Sequence, residues 1–355
     1  MSTKNGERSM ENKVTILPFD ETLDVEPEES ILQAVLRQGR YVKYGCKHGG
    51  CSTCRAEVVD GDYRLGDSTS FALSDADRNA GVVLLCSTFA ESGHLVVDVS
   101  ETMDDLTEEQ YQAGQHIQEF AATVDRIDAL THDIRWLGLR LNEPETMPFV
   151  AGQYVEVGVP GMPDQWRSFS MANSPTESDR VDLIVKVLPG GCFSSVLDQR
   201  LSLGDQVQLR GPLGQFGVQL SHRPMIMIAG GSGMAPILGI LRELVATGNR
   251  REVTFFYGAR TAGDLFLVEE LGQLARQHDW FTFIPALSDA GADGAAWEGE
   301  TGLITEVLAR HLPSTVGREA YLCGPPPMID AAVEVLESSG CKPRHIHFDR
   351  FVPSG

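Results

Sequence analysis

The chain has 355 residues, 42% hydrophobic and 22% charged, with Gly (36) and Pro (18) frequent but without a repeating period. Those figures exclude a fibrous or low-complexity chain and ask for two or three domains rather than one core. The net charge of −21 argues against a nucleic-acid partner, because phosphate backbones need basic faces.

The charge is uneven: residues 1–120 hold 22 acidic against 10 basic side chains, so −12 of the −21 lies in the first third. Such a surface either keeps the protein soluble or steers it towards a basic partner. Lys4, Glu7, Arg8 and Glu11 stand where a secretory signal needs an apolar run. The longest apolar stretch, Met225 to Leu241, is broken by Gly230, Gly231, Ser232 and Gly233, too short an apolar run to span a bilayer. A cytoplasmic protein with no membrane partner is expected.

The first predicted elements are strands at Lys13 to Pro18 and Thr22 to Val25 and a helix from Ser30 to Gln38. Ser30 suits the N-cap, and the acids before it suit the helix dipole. Cys46, Cys51 and Cys54 then follow the spacing C-x4-C-x2-C, with Cys86 after 31 further residues. In a cytoplasmic chain thiols stay reduced, so patterned cysteines read better as ligands than as disulfides. This is the plant-type ferredoxin spacing for a [2Fe-2S] cluster. Zinc is the rival ion, although structural zinc sites pair two short knuckles and here the fourth cysteine stands alone. Cluster sulfurs need inward N–H donors from a tight loop, and Gly45, Gly49 and Gly50 are placed to allow one. A strand over Arg55 to Val59 follows, turning at Asp60-Gly61, and the pattern of residues 12–100 is that of a small β-grasp domain. The run Tyr44-Gly45-Cys46-Lys47-His48-Gly49-Gly50-Cys51-Ser52-Thr53-Cys54, with Leu84-Leu85-Cys86, resembles the ferredoxin domain of oxygenase reductases.

Residues 101–117 are rich in acids with little to bury, as in a linker. Over 118–218 six short strands recur between turn signals: Ala121–Ala129, Ile134–Leu141, Tyr154–Val159, Trp166–Met171, Arg180–Val187 and Gln206–Arg210. They suggest a closed antiparallel barrel. Arg167-Ser168-Phe169-Ser170 lies on one strand, and Gly190-Gly191-Cys192-Phe193-Ser194 opens a short helix ending near Leu201. An Arg fork holds a diphosphate bidentately, and a glycine-opened helix start presents free N–H groups to anions. Alone, the first is commonly a solvated side chain and the second only a turn. Together, and with Phe149-Val150-Ala151-Gly152-Gln153-Tyr154, they resemble the flavin domain of the ferredoxin-NADP reductase superfamily. The resemblance implies that Arg167 binds the FAD diphosphate, Phe169 lies along the flavin, Ser170 approaches its reactive edge and Ser194 helps hold phosphate. Phe169 departs from the commoner Tyr, which removes a hydroxyl contact but keeps the stacking surface.

From 219 to 355 strand and helix alternate, the sign of a parallel α/β sheet. The expected elements are strand Met225–Ala229, helix Pro236–Ala246, strand Val253–Tyr257, helix Leu265–Gln277, strands Phe281–Ala286 and Glu319–Cys323, and helix Pro327–Glu337. Gly230-Gly231-Ser232-Gly233 ends the first strand and feeds a helix, a geometry that admits diphosphate. It is not the G-x-G-x-x-G fingerprint and is weak alone. Cys323-Gly324-Pro325-Pro326-Pro327-Met328 again ends a strand and starts a helix. The pair resembles the pyridine-nucleotide lobe of the same superfamily, which implies that Cys323 sits near the nicotinamide and that Gly230, Gly231, Gly233, Gly324 and Pro325 border the cofactor. A single Cys is otherwise a small buried hydrophobe. Arg260 in Tyr257-Gly258-Ala259-Arg260, with Asp264 beyond, marks the adenine-ribose end; a cation there suits NADPH, whereas the whole run resembles NADH-using oxygenase reductases. Phe351, closing Ile346-His347-Phe348-Asp349-Arg350-Phe351, either covers the flavin ring or plugs a domain interface.

In this domain order the chain is identified as a member of the NADH-dependent reductases of soluble di-iron monooxygenases, such as those acting on propane or phenol. The membership implies electron flow from NADH through FAD and a [2Fe-2S] cluster to the hydroxylase component of the oxygenase, with no acid or base residue needed. The reductase of a Rieske dioxygenase, or a redox carrier that has lost nucleotide turnover, are the alternatives.

Overall fold

The computed structural model describes residues 12–351 except 46, 48, 51, 71, 92, 104–107, 114–117 and 292–295. By internal contacts the chain divides into two units, Met1–His116 and Ile117–Gly355. Among the described residues no helix is long and apolar enough to cross a membrane.

In the first unit a five-stranded sheet runs in the order Glu21–Val25, Asn12–Leu17, His94–Asp98, Arg55–Asp60, Val82–Leu84. The first and last strands of this unit, Asn12–Leu17 and His94–Asp98, pair in parallel at the centre and the others are antiparallel. This is the β-grasp arrangement expected. Helix Ile31–Arg37 packs Ile31, Leu32, Ala34 and Val35 against Val14, Ile16, Leu95 and Val97; each large apolar side chain so buried contributes about 1.5–3 kcal/mol. Ser30 caps the helix through a capping box: its Oγ accepts from Gln33 N–H at 3.3 Å, and Gln33 Oε1 accepts from Ser30 N–H at 2.9 Å.

The acidic segment 101–117 is less bare than its composition suggests. A short helix, Glu108–Ala113, folds onto this unit. Tyr111 is fully buried, stacked on Phe19 at 3.9 Å between ring centroids, and Met103 is buried as well. Two apolar side chains of an acidic stretch are thus buried, which a mean over composition hides.

In the second unit six antiparallel strands follow the order Met162–Ser170, Tyr154–Val159, Gln206–Leu213, Gln118–Ala129, Ile134–Glu143, Arg180–Lys186. The two edges meet where Met171 bridges Leu183 and Ala172 N–H donates to the Asp182 carbonyl at 2.8 Å, so the sheet closes on itself there. Leu137, Leu139, Val155, Val157, Leu183 and Leu209 fill its interior. Four strands run longer than expected: Gln118–Ala129 begins three residues earlier, Ile134–Glu143 ends two later, Met162–Ser170 continues its pairing past Trp166 through a register shift at Gly158/Val159, and Gln206–Leu213 reaches Tyr154 through Leu213.

The nucleotide lobe is a six-stranded parallel sheet ordered Glu300–Thr301, Phe281–Leu287, Val253–Ala259, Met225–Gly230, Glu319–Gly324, Ile346–Arg350. Strand order reverses between Met225–Gly230 and Glu319–Gly324, and an open α/β sheet binds ligands at that crevice. Helix Ile304–His311, absent from the sequence reading, starts at Leu303 rather than at a polar cap. The helix expected from Leu265 starts at Val268, because Leu267 takes a left-handed backbone (φ 57).

A buried ion pair pins the connection from barrel to lobe. Arg251 pairs with Glu319, both almost fully buried, and also donates to the Gln219 carbonyl at 3.2 Å and to that of Arg223. Ser221 and Tyr321 hydroxyls donate to the same Glu319 oxygen at 2.7 and 3.0 Å. Every partner of this charge is supplied locally, as a buried carboxylate requires.

Candidate functional site

Of the cluster cysteines, Cys54 and Cys86 are buried (3% and 9% exposed), while Cys46 and Cys51 lie outside the described residues. The segments of the two described cysteines are tied by Leu85 N–H donating to the Cys54 carbonyl at 2.9 Å. Gly49 N–H donates to Cys86 Sγ at 3.2 Å, the N–H···S contact by which a loop stabilises a cluster sulfur. Left-handed backbone falls on Lys47, Gly49 and Ser52 (φ 61, 78 and 60) and on neither Gly45 nor Gly50. At Gly49 glycine is obligatory: a Cβ would stand 2.4 Å from the Asp67 carbonyl oxygen. The loop, its N–H donor and the two described thiols fit a [2Fe-2S] cluster.

Around the expected flavin site, Arg167 is half-buried in strand Met162–Ser170, opposite Val157, and donates to the Trp166 carbonyl at 2.8 Å. Phe169 projects on the same face two residues on and meets Phe193 of helix Cys192–Gln199 at 4.9 Å. That aromatic pair brings the arginine strand and the helix start together. Gly190 turns the chain with φ 76, and the N-cap, Gly191, offers no side chain to the first helical turn, leaving its N–H groups for an anion. Ser170 is buried. Ser194 is buried too, but its Oγ accepts from Leu188 N–H at 2.9 Å, so its hydroxyl closes the glycine turn. Arginine, aromatic face and uncapped helix start fit the diphosphate and ring of FAD.

At the crevice of the parallel sheet the two expected glycine segments abut. Gly233 packs so closely on strand Glu319–Gly324 that a Cβ would lie 2.2 Å from the Cys323 carbonyl oxygen; one on Gly324 (φ 145) would lie 3.1 Å from that of Gly230. Helices Met234–Ala246 and Pro326–Ser338 begin here without side-chain caps, at Gly233 and Pro325, and Gly231 is left-handed (φ 56). Cys323 is fully buried, paired in register with Ala229 and Asp349. Burial pushes its thiol well above the ordinary range, with the Asp349 carboxylate adding to the shift, so it stays protonated and is no nucleophile. Phe351 N–H donates to the Gly324 carbonyl at 2.9 Å, bringing the last described residue to the same edge. Arg260, by contrast, is an exposed side chain at the far end of the crevice, 3.9 Å from Asp289. Asp264 accepts from Thr261 N–H at 2.9 Å and lies 3.6 Å from His132. The Asp289 carboxylate beside Arg260 offsets the cation that a 2′-phosphate would need. The backbone-lined crevice fits a dinucleotide.

Sequence reasoning matched Gln153 only as part of a motif and missed its role as a latch: its Oε1 accepts from Val150 N–H at 2.8 Å and its Nε2 donates to the Gly214 carbonyl at 2.9 Å. Arg242, which spans barrel and lobe, carries no local signal at all.

A closed antiparallel barrel with an arginine clamp, a parallel lobe with a glycine-lined crevice and a β-grasp unit with a cysteine loop define a pyridine-nucleotide-dependent flavoprotein reductase with a fused iron–sulfur domain. Residues 14–91 match the 2Fe-2S iron-sulfur cluster binding domain, 121–217 the oxidoreductase FAD-binding domain and 227–334 the oxidoreductase NAD-binding domain. The chain is 39% identical over 343 residues to the reductase component of propane 2-monooxygenase from Mycolicibacterium goodii, covering 96% of this chain and 97% of that one. It is 38% identical over 345 residues to the phenol 2-monooxygenase reductase component DmpP of Pseudomonas sp. (strain CF600), with 96% and 95% covered. Among solved structures it is similar to the Amycolatopsis cytochrome P450 reductase GcoB, with a TM-score of 0.80, 32% identity, and 96% and 99% of the two chains covered. The chain belongs to this family of oxygenase reductase components: it is an NADH-dependent oxidoreductase with FAD and a [2Fe-2S] cluster, and the zinc alternative falls away.

Proposed function

We propose that the protein draws electrons from NADH and delivers them singly, in the cytoplasm, to the hydroxylase component of a soluble di-iron monooxygenase. The observation that carries the redox chain is the meeting of the 230–233 turn, the Cys323-Gly324 strand end and Phe351 at one crevice of the unit that also holds the arginine clamp. The identities to propane and phenol monooxygenase reductase components support the partner.

FAD, when bound, takes both electrons of NADH together and releases them one at a time. In this reading Arg167 and the N–H groups after Gly191 neutralise the FAD diphosphate, Phe169 gives the flavin an apolar wall and Ser170 supplies a short polar contact at its edge. The glycines at 230, 231, 233 and 324, with Pro325, let the dinucleotide reach backbone N–H groups, and Arg260 borders its ribose. Cys323, neutral and buried, gives the nicotinamide a small surface beside Gly324. Phe351 stands at the same edge and excludes water. Cys46, Cys51, Cys54 and Cys86 hold the cluster. No side chain moves a proton.

Anaerobic addition of NADH to the purified protein should bleach both flavin and cluster absorbance, and the reduced protein should then support turnover by an added di-iron hydroxylase. A coloured protein that NADH leaves unbleached refutes the redox chain; bleaching without hydroxylase turnover, but with turnover by a Rieske oxygenase, refutes the partner.

A further inference from the structure

Helix Met234–Ala246 leaves the Gly231–Gly233 turn and shares a core with the barrel, and it meets the barrel's strand end at Gly239 and Arg242. A Cβ on Gly239 would stand 2.9 Å from the Met171 carbonyl oxygen and 3.4 Å from that of Asn173, so helix and strand end meet backbone to backbone. Arg242, on the same helical face, donates from Nη1 to the Ala172 carbonyl at 3.1 Å and from Nη2 to Glu270 at 3.2 Å, with its guanidinium 5.2 Å from the buried Trp136 ring.

The segment that receives these contacts is the direct continuation of residues 167–170, and the barrel holds it firmly. Met171, Ala172 and Asn173 are fully buried. Asn173 accepts from Asp182 N–H at 3.0 Å and donates to the Glu177 and Arg180 carbonyls at 3.1 and 2.9 Å. Ala172 is therefore bonded on its N–H side to the barrel closure and on its carbonyl side to the nucleotide lobe.

We infer that Gly239 and Arg242 are positioning residues for NADH oxidation: by seating this helix on residues 171–173 they set the distance between a nicotinamide beside Cys323, against which Gly233 packs, and the flavin edge at Ser170. The inference rests on the proposed function. In the reaction the C4–H bond of the reduced nicotinamide breaks, and the hydrogen passes with both bonding electrons to the flavin, leaving NAD+. From Gly239 to Gly233 the rise is about 9 Å of stiff helix, so a displacement at one end reaches the other nearly whole. Ordinary contact for a Cβ begins at 3.4 Å, and alanine at 239 must gain the missing half ångström against backbone. Since about 1 Å of misplacement costs on the order of a hundredfold in rate, that shift corresponds to roughly tenfold.

The test compares G239A, R242A and R242K with the wild-type FAD-loaded protein. Stopped-flow bleaching over a range of NADH gives the limiting rate and the NADH dissociation constant, and NAD+ added to dithionite-reduced protein gives the long-wavelength charge-transfer absorbance. The limiting rate should fall roughly tenfold in G239A and R242A while NADH affinity stays within about threefold, with a weaker charge-transfer band. R242K, which keeps one donor for the Ala172 carbonyl, should recover part of both. Unchanged rate and band in R242A overturn the inference, as does a loss that only tracks FAD content and is equal in R242A and R242K; these two proteins decide the matter if G239A does not fold. Wild-type protein that NADH does not bleach overturns the proposed function instead.

Discussion

Alanine at Gly233 tests the crevice itself. The φ of Gly233 is −60°, ordinary for alanine, so the effect of Gly233→Ala is purely steric. Its Cβ would meet the Cys323 carbonyl oxygen at 2.2 Å, the Cys323 carbonyl carbon at 2.5 Å and Gly324 Cα at 2.8 Å. All three are backbone atoms of a central strand hydrogen-bonded on both sides, so no side chain swings away to make room. Restoring ordinary contact at 3.4 Å requires the turn and the strand end to part by about 1 Å. Overpacking of this kind costs about 1–3 kcal/mol, and a shift of that size in a cofactor cradle about a hundredfold in rate. NADH-dependent ferricyanide reduction should therefore lose roughly two orders of magnitude in kcat/KM, with flavin and cluster absorbance retained and melting lowered by a few degrees. Gly248→Ala is the control: Gly248 is left-handed (φ 67) in open space away from the crevice, so it should lose about 1–2 kcal/mol of stability and no activity. A Gly233→Ala protein whose kcat/KM lies within threefold of wild type would refute the close-packed crevice.

Three further outcomes are expected. Arg167→Ala should weaken FAD binding by about 1.5–3 kcal/mol, some ten- to hundredfold, in titration of the FAD-depleted protein, and unchanged affinity removes Arg167 from the clamp. Cys86→Ser should abolish the cluster's visible absorbance and paramagnetic signal while NADH-dependent ferricyanide reduction persists; loss of both activities together contradicts separate stations. Burial raises the Glu319 carboxyl, but hydrogen bonds from Ser221, Arg251 and Tyr321 outweigh it and hold the group below the usual carboxylate range. A depressed folded pKa contributes stability that is present above the unfolded value near about 4.3 and is lost as pH falls through the folded one. Melting temperature should thus fall more steeply below about pH 4.5 in wild type than in Glu319→Gln, and parallel curves would contradict the linkage.

Local chemistry made much of this protein legible in its sequence. Cysteine spacing is a covalent fact of the chain, and the C-x4-C-x2-C loop with Cys86 favours a [2Fe-2S] cluster over zinc whatever surrounds it. The glycines at 230–233 and the alternation of strand and helix likewise encode a crevice, because turns and periodicity act over a few residues. Packing between distant segments decided the rest. Gly49 is obligatory because Asp67 crosses behind it; Ser194 turns inward because Leu188 N–H needs an acceptor; and Tyr111 is drawn onto a core by stacking on Phe19. Arg242 and Gly239 look like any residues of an amphipathic helix until the fold sets the Ala172 carbonyl beside one and the Met171 carbonyl beside the other. Such contacts join residues some seventy positions apart, and no local pattern records them, since each depends on atoms that only the closed barrel brings within reach.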